Sequence, residues 1–212
     1  MKIEKNIAVT ALAYGGAGIG RLPDGRVCFI PGTIPGEVVD IQIHREKKNF
    51  VTAGIKSINQ SSCRRIVPEC KLAGICPGCA YMHMDYAEEI KWKQQQLQDF
   101  ILRSKIAGEN VFAPPFASPE PLYYRNKLTL HADKNGQFGY YGQDNSTILP
   151  VDHCPLARKE INELISQAEG EKALFRFTEN NGANLITRDF GELEENIPGA
   201  GKFLVDANGF FK

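Results

Sequence analysis

Long apolar runs are missing from this chain of 212 residues, where nothing approaches the ~18 consecutive apolar positions of a membrane-spanning helix. Its opening, Met1-Lys2-Ile3-Glu4-Lys5, lacks the apolar core of a signal peptide. Internal repeats and low-complexity tracts are missing too. Net charge is also lacking, since 25 Lys+Arg balance 25 Asp+Glu, and 42% of residues are hydrophobic. That composition excludes a disordered tail, a collagen-like fibre and a coiled coil. Without an export signal the expected location is cytoplasmic. The six cysteines are then expected as thiols that bind metal or do chemistry, not as disulfides. By the same logic the Asn-x-Ser/Thr triplets at Asn59 and Asn145 carry no glycans.

The charge balance conceals an asymmetry. Residues 1–106 hold 15 Lys+Arg and 10 Asp+Glu, whereas residues 107–212 hold 10 and 15. A basic half suits a nucleic-acid partner, although an ordinary solvated surface has the same composition. The acidic end, with Asp189, Glu192, Glu194 and Glu195, reads as a solvated loop.

Residues 1–58 read as a small β unit. Apolar runs Ile7 to Leu12, Val27 to Ile30, Val38 to Ile43 and Phe50 to Ile58 alternate with turn signals such as Pro23-Asp24-Gly25 and Pro35-Gly36. This spacing suggests a closed five-stranded barrel of the OB type. The cluster Gly15-Gly16-Ala17-Gly18-Ile19-Gly20 lacks G-x-G-x-x-G spacing, and a Pro-Asp-Gly turn follows where a helix would start. Its glycines are better read as letting a strand bend.

Residues 59–84 form a polar, cysteine-rich loop. From Asp85 a helix starts with a capping-box-like Asp85/Glu88 pair and an apolar stripe, Tyr86, Ile90, Leu97, Phe100 and Ile101, expected in the core. Gly108 supplies its stop, and Trp92 lies on the opposite side, either outside or against a partner. Residues 85–212 read as a mixed α+β domain, so the fold class is α+β. Its strands are Leu128 to His131, Phe138 to Tyr141, Phe175 to Thr178 and Asn184 to Thr187. A helix spans Leu156 to Ala168, and hairpin turns fall at Lys134-Asn135-Gly136 and Asn180-Asn181-Gly182.

Chemistry concentrates in Cys70-x5-Cys76-x2-Cys79. The Pro77-Gly78 turn can aim two sulfurs at one point, and Cys70 closes a short loop onto them. A fourth ligand is open among Cys63, His83 and Cys154, the last just before a helix start that would favour its thiolate. Tetrahedral zinc usually takes paired C-x2-C units, and only one such unit exists here. A 4Fe-4S cluster accepts three close ligands and one distant one, and is the preferred reading, with Zn as the alternative. Cys28, inside a β run, reads as a core residue.

These residues resemble the RNA uridine-C5 methyltransferases that carry a TRAM domain and a four-iron cluster. Gly16-Ala17-Gly18-Ile19-Gly20-Arg21, Val27-Cys28-Phe29-Ile30-Pro31-Gly32 and Ile34-Pro35-Gly36-Glu37-Val38-Val39 look like the TRAM barrel. The Cys70, Cys76, Cys79 spacing is similar to the cluster motif, and Val151-Asp152-His153-Cys154-Pro155-Leu156 to the segment giving its fourth ligand. Tyr124-Arg125-Asn126-Lys127 is similar to a signature at the start of the central domain. The resemblance implies ligands Cys70, Cys76, Cys79 and Cys154, an RNA partner (tRNA or rRNA) and S-adenosylmethionine as methyl donor. It also implies a mechanism in which a cysteine adds to uridine carbon 6, carbon 5 takes the methyl group, and a base removes the carbon-5 proton. Asn208-Gly209-Phe210-Phe211-Lys212 reaches the motif that precedes the family's donor-binding domain. The chain therefore implies no catalytic residue and no methyl transfer by itself, with catalysis left to a further domain or a separate chain. Arg21, Arg26, Arg45, Lys47 and Lys48 would lie near phosphates, Tyr14 and Phe29 would stack on bases, and Tyr123, Tyr124, Arg125 and Lys127 form an aromatic–basic set. The alternative is a stand-alone metal-stabilised module that binds RNA or protein.

Overall fold

The computed structural model describes residues 2–108, 111–186 and 191–206. Packing divides the chain into two units, Met1–Gly74 with Gly78–Ala117, and Ile75–Pro77 with Ser118–Lys212.

In unit 1, strands β1 (Ile3–Ala8), β2 (Ala11–Leu12), β3 (Gly18–Arg21), β4 (Val27–Ile30), β5 (Val38–Glu46) and β6 (Phe50–Gln60) form one sheet. Its order is β1-β5-β6-β4-β3-β2, with only β4 and β6 parallel. Period-two alternation sends Cys28, Ile30, Val39, Ile41, Ile43, Val51 and Ala53 to one face, where they pack with Ile7, Val9 and Leu22. Cys28 is a core residue as anticipated, and burial pushes its thiol up to about 11.

The expected closed five-stranded barrel is a curled half-barrel of six strands. Its edges, β1 and β2, are consecutive in the chain, and no ladder joins them. Val9 and Thr10 bridge the gap instead: Val9 N donates to Glu37 O and Thr10 N to Ile19 O, each at 2.9 Å. Close approach explains two glycines here. A Cβ on Gly18 would collide with the Thr33 hydroxyl, and one on Gly20 would lie 2.6 Å from Ile7 Cγ2.

Helix α1 (Tyr86–Arg103) belongs to unit 1. Asp85 caps it, accepting from Glu88 N at 2.8 Å. Its buried face is not the anticipated one. Leu97 and Phe100 are 55% and 57% exposed, whereas Trp92 packs with Tyr81 on buried Leu12, Ile34 and Met84. A polar contact outside the helix explains the choice of face: Gln96 Nε2 donates to Ala13 O at 2.8 Å. The helix ends at Arg103 on a Ser104 cap, five residues before Gly108.

Unit 2 holds β7 (Lys127–Ala132), β8 (Phe138–Tyr141), β9 (Ile148–Pro150), α2 (Lys159–Leu164), β10 (Lys172–Thr178), β11 (Gly182–Ile186), β12 (Glu192–Ile197) and β13 (Gly201–Asp206). The main sheet runs β11-β10-β7-β8-β9, and β12 pairs with β13. Both anticipated hairpins form, β7–β8 and β10–β11. The helix anticipated over Leu156 to Ala168 shortens because its first residues bind elsewhere. Tyr123 N donates to Pro155 O, Arg125 N to Leu156 O and Arg158 N to Arg125 O, at 2.8, 2.7 and 2.9 Å. The acidic end is not a loop where it is described: β12 buries Leu193 against Leu174 and Ile186, and Glu194 meets Lys202 at 2.8 Å. Thr187, Asp189 and Asn208 to Lys212 lie outside the described residues.

Candidate functional site

The cysteine loop is rooted in unit 1. Arg65 grips the fully buried Glu37 through Nε–Oε1 and Nη2–Oε2 contacts of 2.7 Å each, and its Nη2 donates to Gly32 O at 2.8 Å. Ile34 N and Ser62 N also donate to that carboxylate, at 2.9 and 3.2 Å. Burial alone would raise the Glu37 carboxyl, but the Arg65 guanidinium and these N–H groups outweigh it and hold it below its ordinary range. Ile66 N donates to His83 O and Asp85 N to Arg64 O, so both ends of the loop are paired.

Between those ends, Cys70 and Cys79 belong to unit 1, while Cys76 lies in the short Ile75–Pro77 segment of unit 2; Cys154 belongs to the Ser118–Lys212 part of unit 2. None of the six cysteines is in a disulfide. Among the described residues no three His, Cys, Asp or Glu side chains gather closely enough to hold a metal ion. Of the candidates for a fourth ligand, Cys63 is exposed and the His83 ring is turned onto Thr33 O at 3.2 Å. Burial holds the His83 ring below its ordinary range.

Cys154 is 8% exposed. Because α2 starts only at Lys159, its sulfur does not sit at the helix start that the sequence suggested. The Asn162 side chain fixes the loop instead, accepting from Cys154 N at 2.7 Å and donating to Cys154 O at 3.1 Å. Near it, Tyr140 Oη is buried without a well-aligned hydrogen-bond partner among the described residues. Burial and then the Cys154 sulfur push that phenol far up, with a further contribution from Cys76, while Arg125 opposes. Two of the four candidate ligands thus act on one hydroxyl within unit 2.

A second group lies on the outer face of the unit 1 sheet. Ladder register places Arg21, Val27 and Phe50 in one cross-strand row, and Ile19, Phe29, Thr52 and Arg45 in the next. Phe29 and Phe50 meet edge to face, with centroids 5.7 Å apart. Phe50 was not singled out in the sequence, although its place directly after the basic turn Arg45 to Asn49 marked it. Lys47 and Lys48 are exposed in that turn, closed by Lys47 N donating to Phe50 O at 2.9 Å. Arg26 is less available: it is paired with Asp24 at 2.8 Å and 3.9 Å from Glu46. Tyr14, in the β2–β3 turn, is 97% exposed and does not join the aromatic pair.

In unit 2, Tyr124 is 58% exposed. Tyr123 is turned onto His153, with ring centroids 5.9 Å apart, and carries Lys159 Nζ 5.2 Å above its ring. Lys127 opens β7 and Arg125 is half-buried, so the anticipated aromatic–basic set is divided between solvent and internal contacts.

Comparison with known proteins agrees with this architecture. Residues 4–56 match the TRAM domain family. An RNA methyltransferase of Gloeobacter violaceus is 36% identical over 166 residues, covering 76% of this chain and 36% of that protein. A 23S rRNA (uracil(1939)-C(5))-methyltransferase of Shewanella frigidimarina is 32% identical over 174 residues, or 78% of this chain and 38% of its own length. The fold is similar to that of a Pyrococcus abyssi tRNA (uracil-54, C5)-methyltransferase crystallised with S-adenosyl-L-homocysteine. That match has a TM-score of 0.64 at 17% identity and covers 97% of this chain and 60% of that one. The chain spans little more than a third of the curated relatives it matches, which carry the remainder in the same polypeptide and give no support to a separate catalytic chain. Residues 4–56 are a TRAM domain, in a chain homologous to part of the RNA uracil-C5 methyltransferases.

Proposed function

We propose that this chain is the RNA-recognition part of an S-adenosylmethionine-dependent RNA uracil-C5 methyltransferase. The observation that carries the reading is the outer face of the TRAM sheet, where the Phe29–Phe50 pair lies among Arg21, Arg45, Lys47 and Lys48. Cations spaced along such a face neutralise phosphates whatever the sequence, and aromatic edges and faces accept unstacked bases. Tyr124 and Lys127 offer a second contact of the same kind in unit 2. None of the described residues is assigned to the methyl donor.

Cys70, Cys76, Cys79 and Cys154 are proposed to hold a 4Fe-4S cluster. The donor set fits in chemistry, being four thiols, and unit 2 supplies two of them, both acting on one buried hydroxyl. When bound, the cluster supplies a covalent cross-link between distant parts of the chain, not a reacting group.

The test is fluorescence anisotropy with a uridine-containing single-stranded RNA across a salt series. Four phosphate contacts predict that log affinity falls with log salt at a slope of about −3. Phe29→Ala with Phe50→Ala should weaken binding at every salt concentration and leave that slope unchanged. Binding that ignores salt, or survives loss of both rings, would overturn the assignment of this face.

A further inference from the structure

Residues 107–212 hold more Asp+Glu than Lys+Arg, 15 against 10, yet the main sheet of unit 2 has a face to which its strands contribute no carboxylate. Ladder register brings Lys127, His131, Lys172 and Arg176 to that face, with only uncharged residues beside them. The opposite face is apolar, with Leu128, Leu130 and Phe175 buried on it. Strand β12 covers one end of the basic face, where Leu193 packs on Leu174 and Ile186.

The other end is open. Lys172, His131, Gly139 and Pro150 share one cross-strand row there, and Tyr141 stands opposite Ile148 in the row beside it. The His131 and Tyr141 rings lie against each other, with centroids 4.6 Å apart and planes 40° from parallel. Tyr141 is 42% exposed, Lys172 is exposed and His131 is half-buried. An apolar partner would use these rings and leave the cation idle, whereas a small anion would use the cation and leave the rings in water. A nucleotide of a single strand uses both, because its base stacks while its phosphate meets the charge. We propose that this open end is a base-stacking platform for single-stranded RNA. An unpaired base lies on Tyr141, His131 backs the tyrosine ring, and Lys172 meets a neighbouring phosphate. The platform lies wholly in unit 2, apart from the Phe29–Phe50 pair, and rests on the reading of this chain as an RNA-recognition part.

The test is fluorescence anisotropy on the full chain with two probes: the uridine-containing single-stranded RNA, and a strand of the same length that lacks its bases. Tyr141→Leu should bind the first about tenfold more weakly than the parent does and the second equally well. Tyr141→Phe, which keeps the ring, should bind both as the parent does. His131→Leu should show a smaller loss, again confined to the strand with bases, and Lys172→Ala should weaken both strands alike. Equal loss on both strands in Tyr141→Leu, or weakened binding in Tyr141→Phe, would mean that the tyrosine only supports the fold and would overturn the proposal. Thermal unfolding of each variant is followed alongside, and if Tyr141→Leu does not fold, His131→Leu decides by the same comparison. Undiminished binding in Tyr141→Leu, where Phe29→Ala with Phe50→Ala still weakens it, would overturn this platform and spare the RNA-recognition reading. A parent chain that binds neither strand would overturn both.

Discussion

Removing Arg65 is the most direct test of how the cysteine loop is tied to the TRAM sheet. Arg65→Met keeps most of the side chain's length but leaves Glu37 fully buried without its cation. Removing one partner of a buried pair costs about 3–5 kcal/mol. Two features favour the lower end. Ile34 and Ser62 still donate to the carboxylate, and the Arg65 side chain is 21% exposed. With a urea dependence of roughly 1.5 kcal/mol per molar, a loss of about 3 kcal/mol lowers the midpoint by about 2 M. Trp92 is the single tryptophan and packs on Leu12, Ile34 and Met84, so its fluorescence reports unit 1 alone. Glu37→Gln combined with Arg65→Met should recover a large part of the loss, because no buried charge remains. A midpoint shift worth less than about 0.5 kcal/mol, or strict additivity in the double variant, would refute the reasoning. Acid provides a second arm. The Glu37 carboxyl is held below its ordinary value of 4.5, so its contribution is complete above that pH and is lost as pH falls through the folded value. Glu37→Gln should lack that slope.

Three further outcomes follow from described geometry. Asp85→Ala removes the cap on Glu88 N and should destabilise unit 1 by about 1 kcal/mol in the same urea assay. The His83 ring is held below its ordinary 6.5, so the unfolded chain takes up a proton first and stability should decline as pH falls below about 6.5. His83→Gln should flatten the curve there, as read by unfolding at pH 7, 6 and 5. Gly18→Ala should be tolerated far worse than Gly25→Ala in space alone, since the first meets the Thr33 hydroxyl and Val9 while the second meets nothing within 4 Å. The overpacking should cost about 1–3 kcal/mol, measured against a Gly18→Ala/Thr33→Ala double variant that relieves it.

What the sequence disclosed, and what it hid, can be traced to particular residues. Alternation and turn chemistry placed the β4 and β8 strands and both unit 2 hairpins, because those signals are local. The cap at Asp85 was legible for the same reason. Which face of α1 is buried was not, since the choice lies in Gln96 reaching Ala13, a partner 83 residues away. The shortening of α2 likewise depends on Tyr123 and Arg125 claiming the backbone of residues 155–158 from outside the helix. Closure of the sheet failed to follow from strand count, because strand order is set by long-range pairing. In the candidate sites, the basic and cysteine residues were visible as types. The Phe29–Phe50 contact and the buried Tyr140 hydroxyl were visible only once the ladders fixed their neighbours.

The consecutive edges of the half-barrel also constrain the order in which it can be made. Ile3 pairs with Gln42, so during synthesis β1 must wait for β5, while β2 finds β3 almost at once. A chain paused before β5 would hold a small β2–β3–β4 sheet and a loose first strand. One paused just after β5 would present two unpaired flanks, on β5 and on β4, until β6 fills the space between them. Such open flanks are where nascent chains pair wrongly. Arg65 follows β6 by only a few residues, so its seating on Glu37 acts as a latch that closes soon after the last strand arrives.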